Sequence, residues 1–171
     1  MNNFDLEVYW SKGVVCTFYT VRWNGEDTDE TNKFFERFLK DDSTSIYAEE
    51  LLYLLFEKIG NEVGARNEFF RFENDAQALP SNKLLKVINW NKDSFPLRLY
   101  CMQLSNRLVI LFGGGKKTSE NAQGGETANF FRDANVFAKK ITEVIASREI
   151  VITSDGRKII NGYQNTLKIT L

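Results

Sequence analysis

The chain has 171 residues, with 22 Lys and Arg against 23 Asp and Glu, no histidine, fourteen Phe, six Tyr, three Trp and two prolines. This length suits one domain that buries about two-thirds of its unfolded surface, and the aromatic content with so few prolines argues against disorder. Without histidine the commonest general base and metal ligand is missing, so any chemistry falls to other groups and no metal or cofactor is expected.

No run approaches the roughly 18 apolar residues that span a bilayer. The start, MNNFDLEVYW, has neither the basic residues nor the apolar core of a secretory signal, so a cytoplasmic protein without a membrane partner is expected. Cys16 and Cys101 lie in apolar strand-like runs without CxxC or Cys/His spacing and read as reduced core residues. Residues 1–60 hold twelve acids and six bases, the remainder eleven acids and sixteen bases. The C-terminal side therefore permits an anionic partner.

In chain order, Phe4, Leu6, Val8 and Trp10 alternate with Asp5, Glu7 and Tyr9, and Ser11-Lys12-Gly13 turns into GVVCTFYTVRW, an opening hairpin. A first helix follows, capped by Thr28 or Asp29, with Phe34, Phe35, Phe38 and Leu39 at helical spacing up to Asp41-Asp42. A second runs from Ser45 to Val63. Its stripe of Leu51, Leu52, Leu54, Leu55, Phe56 and Ile59 is too wide for a surface helix, and Gly60 and Gly64 mark its fraying end. Glu49, Glu50 and Glu57 read as its solvated face.

FFRFE predicts a short strand, followed by a loop or helix through Pro80 to Trp90. PLRLYCMQ and RLVILFG, flanking Ser105-Asn106, predict two strands joined by a tight turn. From Thr127, Phe130, Ala134, Phe137, Ile141 and Ile145 make a third amphipathic helix. The C-terminal part, with Asp155-Gly156 and Asn161-Gly162, predicts a small β-meander. The expected fold is α+β: one domain over 1–171, a mostly antiparallel sheet with an N-terminal helical hairpin and a C-terminal helix packed on one face, and a β extension over 148–171.

With a two-residue turn at Ser105-Asn106, Leu104 faces Arg107, Met102 faces Val109, Tyr100 faces Leu111 and Arg98 faces Gly113. Leu97, Leu99, Cys101, Leu108, Ile110 and Phe112 then form the face toward the helices. Arg98, Tyr100 and Met102 form the other, beside a glycine turn carrying Lys116 and Lys117, with Arg71 on the preceding strand. Such a face is either an ordinary solvated sheet surface or an open cationic cluster suited to phosphate. In the second case arginine offers a planar fork, lysine a point charge, and tyrosine a stacking surface or proton donor. The glycines do not make a nucleotide loop: GxxxxGK[ST] fails at Ile110 and at Lys117. A turn with positive φ accounts for them.

The segment LRLYCMQLSNRLVILFGGGKKT resembles the C-terminal hairpin of RelE/ParE/HigB-type bacterial toxins, with an arginine-led strand, a short turn, an apolar strand and a KKT-like end. The helical pair 28–63 and the strand FFRF are similar in order to that family, and the likeness extends over 14–145. The resemblance implies an endoribonuclease that cleaves messenger RNA, often on the ribosome, without metal, and is neutralised by a cognate antitoxin protein. It implies that Arg98 and Lys116 or Lys117 stabilise phosphate charge and that Tyr100 transfers a proton, with Arg71 adding to RNA binding. The alternatives are a non-catalytic interaction module of the same fold, such as a ParE-like topoisomerase inhibitor, or a phage-derived relative without toxin activity.

Overall fold

The computed structural model describes residues 3–90, 94–117, 127–161 and 168–171. The opening hairpin is β1 (Phe4–Trp10) and β2 (Thr17–Trp23). Helix α1 (Glu30–Lys40) begins at Asp29, whose carboxylate accepts the Asn32 N–H at 2.9 Å, so Asp29 rather than Thr28 is the cap. Helix α2 (Ser45–Tyr53) continues without a break into a π-helical segment, Leu54–Val63.

Gly60 is not at a fraying end. Its carbonyl accepts the N–H groups of Val15 and Cys16 at 2.8 and 3.0 Å, and a Cβ on it would stand 2.5 Å from the Trp10 ring. The absent side chain lets the helix press against the β1–β2 connection.

FFRFE divides into a 3-10 turn (Asn67–Phe69) and the short strand β3 (Arg71–Glu73). Next come β4 (Ala76–Leu79) and α3 (Asn82–Val87), the latter capped by Ser81 Oγ on the Leu84 N–H at 3.2 Å. The remaining elements are β5 (Leu97–Ser105), β6 (Leu108–Lys116), α4 (Ala128–Ala146), β7 (Ile150–Ile152), β8 (Ile159–Asn161) and β9 (Lys168–Thr170). No helix among the described residues is long and apolar enough to cross a membrane.

Among the described residues seven strands form one sheet in the order β3-β4-β5-β6-β2-β1-β9. All neighbours are antiparallel except β2 and β6, which run parallel from Thr17 opposite Leu108 to Thr20 opposite Leu111. The class is thus α+β with a mostly antiparallel sheet, as expected.

The helices are not all on one face. Phe18, Leu97, Leu99, Cys101, Val109 and Leu111 pack against α1, α2, the π-helical segment and α3. Tyr19, Tyr100, Leu108, Ile110 and Phe112 pack against α4 on the opposite side. The uninterrupted run LVILF in β6 is what burial on both faces requires, and each of these side chains contributes roughly 1.5–3 kcal/mol.

The C-terminal meander is also corrected. β7 and β8 pair as a separate two-stranded ribbon, while β9 leaves them and joins β1 in the main sheet. Gly156 turns the ribbon at φ 76°, and the Tyr19 hydroxyl, accepting the Ile159 N–H at 2.9 Å, ties it to the sheet. Gly162 of the second expected turn lies outside the described residues.

Candidate functional site

The pairing between β5 and β6 departs from the expected register. Met102 lies opposite Ile110, Gln103 opposite Val109, Cys101 opposite Leu111, Leu99 opposite Gly114, Arg98 opposite Gly115 and Leu97 opposite Lys116. Between Leu99 and Cys101 the partner strand advances from Gly114 to Leu111, so β6 carries one extra residue, a bulge. The glycines therefore form no turn. Gly113, Gly114 and Gly115 continue β6, and strand pairing runs through them to Lys116. Residue Thr118 lies outside the described residues.

This bulge sorts the expected cluster onto different surfaces. Arg98 and Tyr100 share the face covered by α4, and both are buried, at 2% and 0% exposure. Lys116, opposite Leu97, belongs to the other face, and it is exposed. There it lies near Asp41 at the end of α1. That carboxyl is held below its ordinary value by the Ser43 hydroxyl and N–H, with Lys116 and Arg37 adding to the effect.

Lys117 follows the strand, its N–H donating to the Pro96 carbonyl at 2.6 Å. Arg71 does lie on the Tyr100 face, since Arg71 pairs with Ala78 and Ala78 with Tyr100. It is two strands away, exposed, and 3.7 Å from Glu73. Of the five cationic and tyrosine candidates, only Arg98 and Tyr100 come together. The surface they form is closed rather than open.

What closes over them is the start of α4. Its cap residue, Thr127, is 2% exposed and makes no side-chain bond to the first turn of the helix. The Tyr100 ring packs edge-on against Phe131 at 6.0 Å. Burial raises the Tyr100 pKa, while the adjacent Thr127 hydroxyl and Arg98 guanidinium draw it back and Glu73 adds to the rise. The phenol is therefore a neutral donor near neutral pH.

Neither terminal nitrogen of Arg98 nor the Tyr100 hydroxyl has a hydrogen-bond partner of good geometry. A guanidinium cannot shed its proton to escape burial, and leaving a buried charge uncompensated costs about 3–5 kcal/mol. The amino end of α4 adds backbone N–H donors and a partial positive charge. Arg98, the Tyr100 hydroxyl and the first N–H groups of α4 can all donate hydrogen bonds here, with the Glu73 carboxylate nearby, and an oxyanion is a chemical class that suits such donors.

A second charged group lies where α1 meets α4. Glu30 is buried, accepts from Lys33 at 2.8 Å, and stands so close to Gly113 that a Cβ there would be 3.3 Å from its Oε2 and 3.4 Å from Phe130. Lys33 also pairs with Glu26. Burial, then the charges of Asp133 and Asp29, pushes Glu30 up to about 7. Glu30 is thus a carboxyl that can hold a proton near neutral pH, and the sequence pattern did not single it out. Among the described residues no three His, Cys, Asp or Glu side chains gather as a metal site.

Thr127 was legible as the start of a helix, but its position over Arg98 depends on a crossing between elements far apart in the chain. Comparison with protein-family models, with curated proteins and with solved structures found no match to this chain.

Proposed function

We propose that this chain binds a phosphate-bearing ligand through Arg98, Tyr100 and the amino end of α4, RNA being the ligand that the RelE/ParE/HigB resemblance implies. The observation that carries the reading is the buried guanidinium whose two terminal nitrogens lack a partner of good geometry, beside the Tyr100 phenol. An anion placed there would remove the cost of the uncompensated charge, and its binding energy would appear as stability of the fold.

A cleaving form of the reading is favoured by one feature. Tyr100 is protonated at neutral pH and can donate to a leaving oxygen while Arg98 holds the phosphate charge, but its raised pKa makes it a weaker acid than free tyrosine. Cleavage at a 2′-hydroxyl also needs a base. Arg98 and Tyr100 are both donors, and Lys116 lies across the sheet. Binding without cleavage, the interaction-module alternative, therefore asks less of this site than catalysis does.

The test is thermal unfolding of wild type and Arg98→Met with increasing inorganic phosphate, chloride adjusted to hold ionic strength constant. Wild type should gain melting temperature with phosphate while the variant stays flat. Equal responses would refute the site. Induced expression in a bacterial host then separates the two forms: growth arrest with fragmented messenger RNA, lost in Arg98→Gln, indicates the endoribonuclease. Intact RNA indicates binding alone.

A further inference from the structure

The groups that converge on the anion site are shut away from solvent. Arg98, Tyr100 and Thr127 are 2%, 0% and 2% exposed, and the two guanidinium nitrogens and the phenol oxygen are buried as individual atoms. An internal phosphodiester arrives with chain on both sides, and both continuations would have to find a way out past groups that are themselves buried. A terminal phosphoryl group brings chain on one side only. It also presents three free oxygens to the donors, where a diester presents two.

Among the described residues, a groove adjoins these groups. It has a volume of about 460 Å³ and runs between the β3–β4 turn, at Asn74 and Asp75, and the first half of α4, where Ala128, Phe131, Arg132 and Lys139 line it. Phe131 is the shared wall, since its ring also packs against Tyr100. Ala128 follows directly on Thr127. An organic group in the groove would thus have an aromatic side chain, two cations and the Asp75 carboxylate beside it, and Ala128 places one end of the groove at the amino terminus of α4.

Resting on the anion-binding reading above, we infer that the ligand is a phosphomonoester, its terminal phosphoryl group held by Arg98, Tyr100 and the first turn of α4 and its organic part lying in the Phe131 groove. The site thereby selects a phosphorylated end and rejects the interior of a nucleic-acid strand.

The test compares two versions of one short 2′-O-methyl oligonucleotide, which has no 2′-hydroxyl to attack, one with a 5′-phosphate and one with a 5′-hydroxyl. Dissociation constants are measured by calorimetry at fixed ionic strength, because phosphate affinities vary with salt. Inorganic phosphate serves as competitor. Hydrogen bonds to a charged group should make wild type prefer the phosphorylated strand by about 10–100-fold. That preference should vanish in Arg98→Gln, and inorganic phosphate should compete.

Equal affinity for both strands, weakened alike by Arg98→Gln, would show that the site accepts internal phosphodiesters and would overturn the inference while leaving the anion reading intact. Arg98-dependent binding of inorganic phosphate without binding of either strand would also overturn it. If nothing binds in an Arg98-dependent way, both readings fall. Should Arg98→Gln not fold, Tyr100→Phe keeps the ring and removes one donor, and the preference should shrink several-fold.

Discussion

Gly114 and Arg98 meet backbone to backbone: a methyl group on Gly114 would overlap the Arg98 carbonyl oxygen and stand 2.9 Å from Leu99 Cα. The contact lies in backbone rather than in a side chain that could swing away. Gly114→Ala is therefore expected to destabilise the fold by about 1–3 kcal/mol or more, as overpacking of a rigid site does. The measurement is the urea midpoint. A change below about 0.5 kcal/mol would mean that the bulge relaxes freely.

Arg98→Met removes a buried charge and keeps most of the stem. Without ligand, this variant is expected to be more stable than wild type, by about 1–4 kcal/mol if the gain resembles that of replacing buried ionic groups by apolar ones. Equilibrium urea unfolding in phosphate-free buffer checks this. A loss of stability would show that the guanidinium is already compensated.

Lys116 supplies the opposite control. Since it shares a face with Leu97 and Asp41, Lys116→Ala should leave the phosphate-dependent gain in melting temperature unchanged, with stability within about 0.5 kcal/mol of wild type. Loss of the phosphate response in this variant would place the lysine in the site after all.

Glu30 provides a pH dependence whose sign can be worked out. Its folded pKa of about 7 lies above the ordinary 4.5, so between these values the folded state holds a proton that the unfolded state has released. Stability must therefore fall as pH rises from about 4.5 to 7 and level off above. Glu30→Gln should match wild type near pH 4 and exceed it near pH 8, measured by urea unfolding across that range. Parallel curves for the two proteins would show that Glu30 does not titrate in this window.

The sequence carried the elements better than their arrangement. Alternation identified β1, strand-like runs flanking turns identified β2, β5 and β6, and helical spacing identified α1, the long helix from Ser45 and α4, because these patterns are local properties of the chain. Which face of β5 would be covered was not local. Period two separates Leu97, Leu99 and Cys101 from Arg98 and Tyr100, but it does not say that α4 lies over the second set. The arginine suggested solvent, while the unbroken LVILF beside it already required helices on both sides.

The glycines hid the other half of the site. In sequence, Gly113-Gly114-Gly115 looks like a turn, since glycine is common where φ is positive. Here its use is different: at Gly114 no side chain fits beneath the Arg98 carbonyl, and at Gly113 a Cβ would be held tightly between Glu30 and Phe130. The extra residue in β6 then sends Lys116 to the far face, a consequence that spacing alone does not reveal.

The sheet consists of two antiparallel ribbons joined along one parallel seam, where Thr17–Thr20 lie against Leu108–Leu111 with everything from α1 to β5 between them in the chain. Each hairpin can form from neighbouring residues, but the seam closes only when segments near opposite ends of the core find each other. Such distant pairings make folding slow. Refolding of this protein should be governed by two such encounters, the seam and the pairing of β9 with β1: the β1–β2 and β5–β6 hairpins assemble early, and native spectroscopic signals at the seam and at β9 return last.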